Sequence, residues 1–210
     1  MNPKVTVIIP VFNRENLIQR SINSVLKQTY KNLELIVVDD ASTDRTAQKI
    51  SEVKDDRLKY IGNEVNLGPS QSRNKGIEIS DGELIAFQDS DDEWHIDKLA
   101  KQVQILIKSN SDVAAVYCKM EFVDSSSGKL IAKDNINAVD FRKTFTHGTY
   151  FLTPANVTVL IKKSVLNEVG YFDESLLQWK IPNLQLEFRK IIITDLLTSL
   201  WSESLEITIS

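Results

Sequence analysis

Over its first 110 residues the chain alternates between short, β-branched apolar runs and stretches of helical period, and this alternation constrains the fold more than any other feature. Strands that are apolar on both sides must be covered on both sides, and helices interleaved with such strands achieve this in a parallel, layered sheet. Val5 to Phe12 is expected to form a first strand, Leu33 to Asp40 a second, Leu58 to Gly62 a shorter third and Glu83 to Gln88 a fourth. Between them, Glu15 to Gln28 puts Ile18, Ile22, Val25 and Leu26 on one helical face, and Ser42 can cap a helix running through Ala47, Ile50 and Val53. Pro69 opens a third helix, and Leu99, Val103 and Leu106 mark the core face of a fourth. From Val113 onward the rhythm changes. Val113 to Val123, Leu130 to Ala132 and Val157 to Ile161 are strand-like with short polar connections, which predicts an antiparallel or mixed portion, and Lys163 to Val169 followed by Gly170 reads as a short helix with a glycine stop.

Composition removes several classes of function. At 210 residues and 42% apolar content the chain can bury one full core, and it has no linker, repeat or low-complexity stretch. A formal net charge of −4 argues against a nucleic-acid partner, since such proteins carry a basic stripe to neutralise phosphates. Cys118 is the single cysteine and sits in an apolar run, which excludes a disulfide framework and a thiolate metal site and fits a reducing compartment. The first apolar run ends at Pro10 and Asn13, too soon for a signal peptide or a membrane span, so the expected location is cytoplasmic.

In open parallel sheets ligands bind beyond the carboxyl ends of the strands, so polar residues at those ends carry the functional weight. The first strand ends in Pro10-Val11-Phe12-Asn13, the second in Asp39-Asp40 and the fourth in Asp89-Ser90-Asp91-Asp92. Carboxylates at i and i+2 in a tight turn, as Asp89 and Asp91 are, can hold a divalent cation such as magnesium or manganese; they can equally cap the following helix. The crowding of Asp89, Asp91, Asp92 and Glu93 exceeds what capping requires, and a cation would relieve the repulsion. Asp40 either begins the turn into Ser42-Thr43-Asp44 or accepts hydrogen bonds from a ribose or a base. Arg73, just inside a helix that follows Asn66-Leu67-Gly68-Pro69, is placed to attract phosphate or stack on a base, whereas Lys75 reads as part of a solvated face. Trp94 reads as a packing anchor under the acidic turn, and His95 and His147 have no ligand-like spacing.

Val5 to Asn13, Val37 to Asp44, Asn66-Leu67-Gly68 with Ser72 to Gly76, and Asp89 to Trp94 together resemble the ordered blocks of family 2 glycosyltransferases, and Gly170-Tyr171-Phe172-Asp173-Glu174 resembles the segment before that family's catalytic acidic pair. The resemblance implies a GT-A fold, α/β with a mostly parallel sheet flanked by helices and a mixed acceptor-side portion. It divides the chain into a family 2 domain over 1–178, with a nucleotide-sugar-binding half over 1–110 and a partial acceptor half over 111–178, and a tail over 179–210. It implies inverting transfer of a sugar from a nucleoside-diphosphate sugar to a sugar, lipid-linked or protein acceptor, in cell-surface polysaccharide or glycan synthesis, with peripheral membrane association compatible with that role. Carried over position by position, Pro10, Phe12, Glu15, Asp40, Arg73 and Asp89 would bind the nucleotide sugar, and Asp91 with Asp89 would hold manganese or magnesium.

Two departures stand against the family pattern. Ile96 replaces a proline that often starts the helix after the tryptophan, a loss of preorganisation only. More seriously, Trp179-Lys180-Ile181-Pro182 stands where a Glu-Asp pair carrying the general base is expected, so no catalytic base is assigned. Read from the third base of the Trp179 codon, the shifted frame gives Glu and then Asp or Asn, which points to a frame change near Gln178 or Trp179; a divergent end that evolved to this sequence is the alternative. Three functional classes follow: a glycosyltransferase, a nucleotide-sugar-binding remnant without catalysis, and a phospho-acceptor regulator built on Asp39 and Asp40, which the mixed second half disfavours.

Overall fold

The computed structural model describes residues 2–109, 113–118, 121–124, 127, 129–133, 156–174 and 207–209. Among them β1 (Val5–Val11), α1 (Ile18–Leu26), β2 (Leu33–Asp39), α2 (Thr46–Ser51), β3 (Leu58–Gly62), α3 (Pro69–Glu78) and β4 (Leu84–Phe87) follow the expected alternation. They are followed by β5 (Asp92–Trp94), α4 (Lys98–Lys108), β6 (Ala115–Tyr117), β7 (Glu121–Val123), β8 (Leu130–Lys133), a 3-10 turn at Asn156–Thr158, β9 (Val159–Lys162), α5 (Lys163–Val169) and β10 (Ile207–Ile209).

The main sheet has the order β3-β2-β1-β4-β9-β6. β1 to β4 run parallel, while β9 lies antiparallel to both β4 and β6. The chain moves to one side of β1 to build β2 and β3 and then crosses to its other side for β4, so the strand order reverses between β1 and β4. Crevices form at such a switch point, outside the carboxyl ends of the strands. A second sheet, β5-β10-β7-β8, lies beside the acidic turn after β4.

Packing explains why the runs were continuous. Every residue of β1 and β2 is buried, because each strand is covered on both faces. Val5, Val7 and Ile9 join α1 and α4 residues in one apolar cluster, and Ile8 on the opposite face joins Ile77 of α3 with Ile85, Phe87 and Phe172. Each fully buried aliphatic side chain of this kind contributes roughly 1.5–3 kcal/mol. α3 lies flush on β1 because residue 76 is glycine; a Cβ there would meet Ile8 Cγ2 at 2.5 Å.

Several elements differ from the expectation. α1 begins at Ile18 rather than near Glu15, because Glu15 and Asn13 are engaged by the loop before α2. The run from Val113 to Val123 is two strands, β6 and β7, and Val157 and Thr158 belong to the 3-10 turn. The acidic turn itself continues into strand β5. Of the tail, Ile207–Ile209 forms β10, antiparallel to β5 and parallel to β7. His147, the span from 175 to 206 with Trp179 and Lys180, and part of the expected acceptor half, including 134–155, lie outside the described residues.

Candidate active site

The ends of β1 and β2 are laced together by their loops. Asn13 donates its backbone N–H to Ser42 Oγ at 2.9 Å, and Thr43 N–H donates to Asn13 Oδ1 at 2.8 Å. Both loops turn through left-handed backbone, with φ of 52° at Asn13 and 62° at Ala41. An alanine in that region is uncommon and costs energy, so the surrounding bonds hold it there. The result fixes Phe12, whose ring is 43% exposed at the carboxyl edge, beside Asp39 and Asp40. Pro10 is buried within β1, level with Val38.

Asp39 and Asp40 are both buried, and both are spoken for. Asp39 accepts from Ser42 N–H at 3.0 Å and from the Tyr60 hydroxyl at 3.0 Å, a contact that together with burial pushes the phenol up to about 12. Asp40 accepts from Asn63 Nδ2 at 2.8 Å, Leu67 N–H at 2.9 Å and Gly68 N–H at 2.7 Å. Gly68 precedes α3 with φ of 88°, so the amino end of that helix, expected to be open to a phosphate, receives the Asp40 carboxylate. Glu15 binds the N–H of Arg45 at 3.0 Å and its guanidinium Nε at 3.1 Å, at the start of α2.

The second acidic group follows β4. The Asp89 carbonyl accepts from Ser21 Oγ at 2.9 Å and the Asp91 carbonyl from Arg20 Nη2, so α1 holds the backbone of the turn. Arg73, 3% exposed, binds Asp89 Oδ1 at 2.8 Å and lies 5.7 Å from the Phe172 ring centroid. Burial pushes the Asp89 carboxyl up, and Arg73 offsets this only in part. The Asp91 carboxylate is 40% exposed, 3.7 Å from Arg14 Nε. Asp92 is pushed up to about 7 by burial and by the charges of Asp89 and Asp91. Burial and the crowding of like charge thus disfavour the ionised form of Asp92 in this turn, and a divalent cation would relieve that repulsion. Asp91 with Asp89 would hold such an ion; among the described residues no three His, Cys, Asp or Glu converge as a cage.

Trp94 is buried under this turn with Lys98 Nζ 3.7 Å from its ring centroid, and Lys75 is tied to Asn63 Oδ1 at 2.7 Å rather than solvated. Two participants had escaped the sequence reading. Asn63 bridges Asp40 and Lys75, and Asn74 reaches the segment 172–174. Asn63 carries no local signal; Asn74 stands inside a quoted motif, but its partners are about a hundred residues away.

Comparison with known proteins identifies the family of the chain. The sequence profile described as "Glycosyl transferase family 2" matches residues 6–172. An Escherichia coli UDP-Glc:alpha-D-GlcNAc-diphosphoundecaprenol beta-1,3-glucosyltransferase, WfgD, is 36% identical over 80% of this chain and 63% of its own length. A Campylobacter jejuni GalNAc(5)-diNAcBac-PP-undecaprenol beta-1,3-glucosyltransferase is 35% identical over 82% of this chain and 56% of its own. The chain thus spans between half and two-thirds of these relatives. Among solved structures, the mannosyltransferase PcManGT from Pyrobaculum calidifontis, in complex with GDP-Man and Mn2+, superposes with a TM-score of 0.63 at 25% identity over 84% of this chain and 49% of that one. S. aureus TarS 1–349 in complex with UDP-GlcNAc gives 0.64 at 26% identity over 90% and 53%. The sheet order and its mixed edge are those of the GT-A architecture, and the chain belongs to glycosyl transferase family 2.

Proposed function

We propose that this chain is the nucleotide-sugar-binding part of a glycosyltransferase that moves a sugar, with inversion, from a nucleoside diphosphate sugar to an acceptor hydroxyl. The observation that carries the reading is the cluster of carboxylates in the turn Asp89 to Asp92 at the β1/β4 switch point, on the same sheet edge as Phe12, Asp39 and Asp40. In this reading the exposed Phe12 ring offers a face for the base, and Asp40 offers a remaining lone pair to base or ribose. Pro10 shapes the floor, Glu15 orders the loop over the nucleoside, and Arg73 holds Asp89 toward the diphosphate. A divalent ion on Asp91 and Asp89 supplies charge neutralisation for the leaving diphosphate. The acceptor oxygen attacks the anomeric carbon, the bond to the diphosphate oxygen breaks, and a carboxylate on the opposite face takes the hydroxyl proton. Asp173 and Glu174 are the carboxylates nearest in sequence to where the base belongs, and neither is assigned that role.

A lipid-linked acceptor, in polysaccharide or glycan synthesis, is favoured by the undecaprenol diphosphate names of the E. coli and C. jejuni relatives, and a uridine donor by the first of these and by the TarS complex. Action at the cytoplasmic membrane surface as a peripheral protein fits such an acceptor; among the described residues no helix is long and apolar enough to cross a membrane. A second reading, a nucleotide-sugar-binding remnant, is favoured by Trp179-Lys180 standing in place of the acidic pair, through a frame change near codon 179.

Calorimetry with UDP and GDP, with and without manganese, tests the proposal. We expect manganese-dependent binding that Asp91→Asn weakens by about 100-fold or more with the fold intact. Equal affinity of parent and variant would remove the metal site. To separate the two readings, sugar transfer is compared between this chain and one restored to the shifted frame from codon 179. The remnant reading expects binding in both but transfer lower by ~10²- to 10⁴-fold in the former.

A further inference from the structure

Asn74 follows Arg73 on α3, is 6% exposed, and uses both ends of its amide. Phe172 donates its backbone N–H to Asn74 Oδ1 at 2.9 Å, and Asn74 Nδ2 donates to the Phe172 carbonyl at 2.9 Å and to Glu174 Oε1 at 2.9 Å. A side-chain amide that satisfies both backbone groups of one residue fixes its position and its peptide orientation together, as a neighbouring strand would. The Phe172 ring meets Phe87, the last residue of β4, edge-on at 5.1 Å. On the same turn of α3, Arg73 grips Asp89. One helical turn thus holds the acidic turn through residue 73 and the segment 172–174 through residue 74, although those two segments are far apart in sequence.

We propose that Asn74 is a positioning residue of the transfer reaction: it sets the position of the segment Gly170–Glu174, and it couples that position to the occupancy of the nucleotide-diphosphate site through α3. The proposal rests on the glycosyltransferase reading above. A core link serving stability alone needs only the Phe87–Phe172 ring contact. The amide adds direction, since it also takes one oxygen of Glu174 and so orients a carboxylate that precedes the expected base. Arg73 and Asn74 cannot move independently, so a diphosphate that draws Asp89 shifts the load on the same turn that bears Asn74.

Hydrogen exchange of peptides covering 170–174, with and without UDP and manganese, tests this in the full chain, alongside calorimetry of the same samples. Nucleotide should slow exchange there by about threefold or more in the parent. Asn74→Ala, and Asn74→Asp, which keeps the acceptor for Phe172 N–H but loses both donated bonds, should bind UDP within about threefold of the parent while losing the nucleotide-dependent slowing. The aspartate variant serves if the alanine variant fails to fold. Slowing that persists in either folded variant would reduce Asn74 to a structural link and overturn the proposal. The same holds if the parent binds nucleotide and shows no slowing. Absence of nucleotide binding by the parent itself would sink the glycosyltransferase reading, and the positioning role with it.

Discussion

The two edges of the main sheet both carry buried carboxylates, in opposite circumstances. At the amino edge, Glu34 of β2 accepts from Thr6 Oγ1, from Lys4 and Lys59 Nζ at 2.9 Å each and from Asp81 N–H at 2.7 Å. Although burial raises its pKa, these donors outweigh the cost and bring the carboxyl down to about 2. At the carboxyl edge, Asp89 pairs with Arg73 at 2.8 Å, and Asp92 is driven the other way, to about 7. The same sheet therefore uses one acid to hold strands together and crowds others at its opposite edge, where burial and like charge disfavour ionisation of Asp92.

The largest effect that would break this contrast is at Glu34. Glu34→Gln should cost roughly 2–3 kcal/mol of stability, discounted for the partly exposed lysines, with UDP affinity unchanged, as read by denaturant unfolding and calorimetry. The sign of its pH dependence follows. Because the folded pKa is depressed, the stabilisation is complete above the unfolded value of about 4.5 and is lost as pH falls from there toward 2, so the parent and the variant should converge in stability across that window. A variant as stable as the parent at neutral pH would show that the amino edge is not a staple.

Asp40→Ala asks whether a carboxylate with three donors at the carboxyl edge behaves like Glu34. If Asp40 serves both roles, the variant should lose about 1–3 kcal/mol of UDP binding and also free the loop 63–68, seen as faster hydrogen exchange there. Loop release with unchanged UDP affinity would class Asp40 with the scaffold.

The smallest effect should come from Asp92→Asn, the same chemical change as Glu34→Gln with the opposite sign. Removing a charge that burial and like charges disfavour should stabilise the metal-free protein by about 1 kcal/mol. A variant that melts below the parent would show that the turn is neutralised by its own surroundings.

The parallel half was legible because physics made it repetitive. Val5 to Val11, Leu33 to Asp39 and Leu84 to Phe87 are buried on both faces and so read as unbroken apolar runs, and Pro69 marked the start of α3. Strand β5 was not legible, because Asp92-Glu93-Trp94 has neither alternation nor β-propensity and is fixed by its β10 neighbour at residues 207–209. Glu34 hid inside an apolar run because its donors come from residues 4, 6, 59 and 81. Asp39, Asp40, Asp89 and Asp91 could be read because strand ends in a parallel sheet face one way. Partners that orient two of them, Tyr60 on Asp39 and Asn63 on Asp40, lie on other elements and leave no periodic trace.

Gly76 gives the helix that carries Arg73 and Asn74 its seat, with Ile8 where a side chain would otherwise stand. The missing methyl works as a gauge block between two layers. Inserting it should push α3 away from β1 and move both of its grips, on Asp89 and on Phe172, together. The thickness of this one joint is calibrated to a single hydrogen atom.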